Sequence, residues 1–206
     1  MVKPEIMDLS SKILCVGGSP RKGGNSDVLL EKLCSAFSGL NTGCELIQLR
    51  EYQISPCIGC EKCRKDNICH GLDDDMQILY PKIQSSKGMI LVSPTHHYNI
   101  TAWMKAFIDR MYCFYRFENT VPRAWSSTLA GQGRKAAVLA ICEQEDKKDM
   151  GFTLEAMQWP LQAFGYDLVD ELAVFKVFKK AGVKNEFSVM DQIPQIAENM
   201  ARAVKE

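Results

Sequence analysis

A three-layer α/β sandwich around a parallel sheet is the fold class that two features of this 206-residue sequence predict. Short apolar runs alternate with longer amphipathic stretches along the chain, the strand–helix alternation of α/β proteins. Several of those runs are unbroken, as expected of strands buried on both faces. No internal repeat, low-complexity tract or linker divides the sequence, so residues 1–206 read as one domain.

The elements follow in order. Ile13–Val16 is a compact strand, and the loop 17–25 leads to Ser26, a good helix N-cap for a stripe of Leu30, Leu33 and Phe37. Glu45–Leu49 is the second strand. A cysteine-rich loop at about 56–73 follows, then a helix over Asp74–Gln84 with Asp73, Asp74 and Asp75 at its positive end. Met89–Val92 is the third strand. From Thr101 a helix carries Met104, Phe107, Ile108 and Met111 on one stripe. Residues 113–133 read as irregular, and their aromatics Tyr115, Phe117 and Trp125 suit plain packing, a cap over a ligand or burial between subunits. Ala136–Ile141 is a strand, 151–164 a helix, 166–175 a strand and 190–204 a last helix. Five such strands suit the flavodoxin-like order 2-1-3-4-5, in which ligands sit beyond the carboxyl ends of strands one and three. The loops 17–26, 93–100 and 142–150 are therefore the ones that build a site.

Charge narrows the function. Lys and Arg total 25, as do Asp and Glu, a balance that argues against nucleic acid and against an anionic membrane surface. No apolar run is long enough to span a bilayer. The segment Met1–Glu5 starts no signal peptide, so a cytoplasmic protein is expected. Nine cysteines without an export signal make a disulfide framework improbable. Cys15, Cys34, Cys44, Cys113 and Cys142 sit singly among apolar neighbours and read as core filler.

The first loop, Gly17-Gly-Ser-Pro-Arg-Lys-Gly-Gly-Asn-Ser26, joins a strand to a helix N-terminus, where glycines and free N–H groups suit an anion. Ser19, Asn25 and Ser26 add neutral donors and Arg21 a charged one. Gly24-Asn25 replaces the Lys-Ser/Thr of a Walker A loop, and G-x-G-x-x-G is absent. A single terminal phosphate suits the loop better than a triphosphate or pyrophosphate, and a Gly-rich turn that binds nothing is the alternative. Beyond the third strand, Pro94, Thr95, His96, His97, Tyr98 and Asn99 place flat polar side chains beside the same crevice. They suit a planar ring as well as they suit a solvated loop, and adjacent histidines make a poor zinc site. The acidic run Cys142–Asp146 receives no role.

Ser19–Ser26, together with Ser93–Asn99 and Thr101–Arg110, resembles the NADPH-dependent FMN reductase family. The resemblance implies FMN, with Ser19, Arg21, Asn25 and Ser26 on its phosphate and the Pro94–Asn99 stretch along its isoalloxazine ring. The family often carries aromatics and then glycine where this chain has His96, His97 and Tyr98.

Cys57, Cys60, Cys63 and Cys69 form C-x2-C-x2-C-x5-C, whereas an even spread of nine cysteines would put fewer than one in such a window. Structural zinc usually takes separated pairs, while three closely spaced cysteines suit three corners of a cubane. Zinc and free redox-active thiols are the alternatives. In a chain of this kind the motif resembles the iron–sulfur flavoproteins. That likeness implies FMN plus a [4Fe-4S] cluster, a homodimer or homotetramer, and electron passage between NAD(P)H or ferredoxin and an acceptor. A cluster-free NAD(P)H-dependent quinone or nitro reductase, a non-enzymatic electron carrier and a thiol redox sensor are the competing readings.

Overall fold

The computed structural model describes residues 12–206, so the reading of Met1–Glu5 lies outside the described residues. The chain runs β1 (Ile13–Gly17), α1 (Asn25–Gly39), β2 (Cys44–Gln48), α2 (Met76–Ser85), β3 (Gly88–Pro94) and α3 (Ala102–Arg110). It continues through β4 (Tyr115–Phe117), β5 (Trp125–Ser127), β6 (Lys135–Ile141), α4 (Lys147–Met150), α5 (Glu155–Ala163), β7 (Asp167–Val174), α6 (Phe187–Met190) and α7 (Gln192–Ala203). The main sheet is five-stranded in the order β2-β1-β3-β6-β7, every neighbouring pair parallel. This is the predicted 2-1-3-4-5 order, with β4 and β5 set apart as an antiparallel pair.

Strand periodicity sorts the core into two layers. Ile13 and Cys15 of β1, Ile90 and Val92 of β3, and Ala137, Leu139 and Ile141 of β6 face α1 and α7. Leu14, Val16, Met89, Leu91, Ala136, Val138 and Ala140 face α2, α3 and α5. Both faces are covered, which is why the strands read as unbroken apolar runs.

Five expectations are corrected. Gly24, not Ser26, is the N-cap of α1, and Ser26 is buried inside the first turn. Residues 113–133 are not wholly irregular, because β4 and β5 form a hairpin within them. The 151–164 helix is α5 alone, entered by a turn at Gly151, and α2 starts at Met76 with Asp75 as its N-cap. Among the scattered cysteines, Cys34 and Cys44 form a disulfide that ties α1 to β2. The Cys44 sulfur lies 3.6 Å from that of Cys15, whose thiol is pushed up to about 12 by complete burial and stays protonated.

Candidate functional site

The first candidate site is a cleft of about 190 Å³ at the carboxyl ends of β1, β3 and β6. Ser19, Arg21, Asn25 and Ser26 line one wall, and Pro94, Thr95, His96 and Glu143 line the other. All four expected phosphate residues thus share one cavity with three of the six expected ring residues. Because Gly24 supplies no capping side chain, the first-turn N–H groups of α1 stay available to an anion. Asn25 Oδ1 accepts from the Val183 N–H at 3.1 Å, which leaves its amide NH2 as a donor.

Two residues that the sequence did not single out shape this loop. The Asp27 carboxylate accepts from the Gly23 N–H at 2.7 Å and takes a two-pronged bond from Arg50, both prongs at 2.9 Å. Arg50 also donates to the Ser19 carbonyl and to Gln48 Oε1. The pair is nearly buried, so it fixes the loop instead of binding a ligand. Arg21 is anchored from outside by the Phe178 carbonyl at 3.3 Å and by its ring, 4.8 Å from the guanidinium.

The second loop is a tight turn. His96 and Asn99 exchange backbone hydrogen bonds at 2.8 and 3.1 Å, and His97 and Tyr98 between them hold positive φ of 48° and 64°. The paired left-handed residues aim His97, Tyr98 and Asn99 outward, and none of the three lines the phosphate cleft. Asn99 instead joins a neighbouring apolar groove with Tyr112, Tyr115, Trp159 and Phe164. The Tyr98 carbonyl accepts from the Phe152 N–H at 2.8 Å. At Gly151 a Cβ would lie 2.2 Å from that carbonyl, and φ is +58°, so only glycine lets the two loops meet. Burial, then the charge of Arg21, holds the His96 imidazole below its ordinary value, so the ring is neutral at pH 7.

The second candidate site is a cavity of about 220 Å³ lined by Cys57, Cys60, Cys63 and Cys69 together with Arg110, Tyr112 and Cys113. All four motif cysteines are free thiols that face one space. Glycine again decides the packing, since a Cβ at Gly71 would lie 2.5 Å from the Cys60 sulfur. Burial pushes the Cys63 thiol up, with added repulsion from Cys69, Cys57 and Cys60. The Cys69 thiol is held low: burial opposes ionisation, but the Gly71 N–H, the Tyr80 hydroxyl and the Arg110 charge outweigh it. Four thiols that line one cavity suit a cation that accepts several thiolates. Cys113 belongs to the hydrophobic core, as expected, and also borders this cavity; burial holds its thiol at about 12.

The β4–β5 hairpin supports the cysteine loop. Asn67 donates to the carbonyls of Cys113 and Tyr115, both at 2.9 Å, and the Arg64 guanidinium lies 5.4 Å from the Phe117 ring. Tyr115 stacks on Phe164 at 4.5 Å, so it packs against the end of α5, while Trp125 stays half exposed. Asp74 does more than meet a helix dipole. It accepts from the N–H groups of Ser55 and Met76 at 2.9 and 3.1 Å and pairs with Arg110 at 2.5 Å.

Helix α3 spans the two sites. Its N-cap Thr101 donates to the Gly18 carbonyl at 2.7 Å and accepts from the Met104 N–H, so this end holds the first loop to the second. Arg110 at its other end reaches the cysteine cavity.

Known proteins resemble this chain in sequence and in fold. An iron–sulfur flavoprotein of Methanocaldococcus jannaschii is 33% identical over 99 residues, 48% of this chain and 51% of that protein. One from Archaeoglobus fulgidus is 35% identical over 100 residues, 48% of this chain and 45% of that protein. The chain spans about half the length of the curated relatives it matches. Among solved structures, an FMN-dependent NADH-azoreductase from Bacillus anthracis superposes with a TM-score of 0.69 at 14% identity, covering 93% of this chain and 99% of that one. A flavodoxin from the domain Archaea gives a TM-score of 0.58 at 13% identity, covering 95% of this chain and 99% of the other. Both confirm the flavodoxin-like fold. The family match runs over residues 11–144, from β1 past β6, and takes in both loops and the cysteine motif. This chain belongs to the NADPH-dependent FMN reductase family.

Proposed function

We propose that the chain is an FMN- and [4Fe-4S]-dependent oxidoreductase that passes electrons between NAD(P)H or a ferredoxin-type carrier and an acceptor. The observation that carries this reading is the pair of cavities joined by α3: a phosphate-type cleft at one end and a four-cysteine cavity at the other. FMN exchanges electrons in pairs with nicotinamides and a single cubane passes them one at a time, so the two together couple both currencies.

The residues divide this work. Ser19, Asn25, Ser26 and the first turn of α1 hold the phosphate, with Arg21 opposite its charge. Pro94, Thr95 and His96 border the ring, with neutral His96 free to donate or accept one hydrogen bond. His97, Tyr98 and Asn99 face outward, where they meet an incoming nicotinamide or acceptor. Cys57, Cys60, Cys63 and Cys69 are the thiolate ligands. A reducing compartment such as the cytoplasm keeps those thiols available. Family likeness supports a homo-oligomer, a homodimer or homotetramer, and no helix among the described residues is long and apolar enough to cross a membrane.

Anaerobic stopped-flow kinetics tests the division. With NADPH the wild type and Cys63→Ser should bleach the flavin at similar rates, while transfer onward to a one-electron acceptor should fall at least tenfold in Cys63→Ser. Equal onward rates would favour the cluster-free reductase.

A further inference from the structure

Arg110 is the one charged side chain in the cysteine cavity that is almost wholly buried, at 1% exposure. A guanidinium cannot shed its charge and carries five N–H donors, so burying it is costly unless each contact is used. Nη1 donates to the Ser55 carbonyl at 3.0 Å and to Asp74 Oδ2, and Nη2 points at the Cys69 sulfur at 3.6 Å. Nε, also buried, has no acceptor among the described residues. Asp74 is held in turn by the Ser55 and Met76 N–H groups. An apolar side chain would fill this space without the cost of burying a charge. What Arg110 adds is a fixed positive charge and a directed donor at one cysteine sulfur.

We propose that Arg110, oriented by Asp74, is a positioning residue that fixes the Cys69 sulfur and raises the one-electron reduction potential of the group that the four cysteines hold. The inference rests on the reading of Cys57, Cys60, Cys63 and Cys69 as cluster ligands. Hydrogen bonds to sulfur and local net charge set such potentials. One-electron reduction adds one negative charge to the cluster and its thiolates, breaks no bond and moves no proton. The electron comes from the reduced flavin, or from dithionite in the test. Arg110 favours the more negative form and Asp74 opposes it. Removing one or the other therefore moves the potential in opposite directions, a result that a purely structural pair does not give.

The test is an EPR-monitored dithionite titration of iron-loaded, FMN-loaded protein as wild type, Arg110→Gln, Arg110→Lys and Asp74→Asn, with flavin retention as the check of folding. Arg110→Gln should disfavour reduction about tenfold, a shift of about 59 mV to lower potential for a one-electron couple. Arg110→Lys, which keeps the charge but not the fork, should recover part of that shift, and Asp74→Asn should move the potential upward. Unchanged potentials, or shifts of one sign in Arg110→Gln and Asp74→Asn, overturn the proposal while the cluster reading stands. If Arg110→Gln does not fold, Asp74→Asn decides alone: a rise supports the proposal and no change overturns it. A wild type that takes up no iron overturns the cluster reading and this proposal with it.

Discussion

Arg21 is the cation that lines the phosphate cleft among the described residues, and the Phe178 carbonyl and ring hold it there. A hydrogen bond to a charged group is worth about 1.5–3 kcal/mol, so Arg21→Ala should weaken FMN about 10- to 100-fold. Riboflavin, which lacks the phosphate, should bind both proteins equally, and quenching of flavin fluorescence measures the two affinities. Equal losses for both flavins would place Arg21 on the ring instead. Its place beside the cleft was legible in the sequence because it lies within the short loop between β1 and α1. The partners that fix the loop were not. Arg50 meets Asp27 from 23 positions away and Phe178 meets Arg21 from 157, and neither local composition nor spacing encodes contacts that folding creates. Glu143, on the same cleft wall as His96, was hidden in a run of similar charges.

At the level of elements, the turn His96–Asn99 holds two non-glycine residues in the left-handed region. That conformation costs about 1–2 kcal/mol for an L-residue, and glycine costs about 0.5–1 kcal/mol in chain entropy. His97→Gly should therefore stabilise the ligand-free protein by about 0.5–1 kcal/mol, visible as a higher denaturant midpoint. A lower midpoint would mean that the His97 side chain stabilises the turn. The start of α2 makes a pH prediction. Burial alone would raise the Asp74 carboxyl, but Arg110 and the Ser55 and Met76 N–H groups outweigh it and hold it below 3.8. A carboxyl depressed in the folded state contributes stability above its unfolded value and loses it as pH falls through the folded one. Wild type should lose more stability than Asp74→Asn between about pH 4 and pH 2, measured by denaturant melts across that window. Parallel curves would contradict this. The strands and α3 were legible because their periodicity extends over enough residues to be unambiguous. β4 and β5, three residues each, are too short to show a period of two, and their pairing depends on aromatics that pack on α5.

Across the whole molecule, the sheet order followed from the number of strands and the helical crossovers between them, since parallel neighbours leave few topologies. The same topology explains the two-site layout. β1 and β3 deliver the loops 17–26 and 93–100 to the carboxyl end of the sheet, the chain leaving β2 supplies the cysteines, and α3 ties both to one rigid element. The cysteine spacing predicts a metal site, but not Arg110 and Cys113, which line the same cavity from α3 and the segment before β4, nor Asp74 just ahead of α2, which pairs with Arg110. The Cys34–Cys44 disulfide was likewise illegible, since it depends on α1 packing beside the first residue of β2. The central claim is that the two cavities hold two redox groups together. Its most direct test is an absorption spectrum of anaerobically purified protein, with flavin, iron and acid-labile sulfide assayed on the same sample. Paired cofactors give one FMN with about four irons and about four sulfides per chain, the content of a single cubane. Flavin without iron after anaerobic reconstitution with iron and sulfide would contradict it.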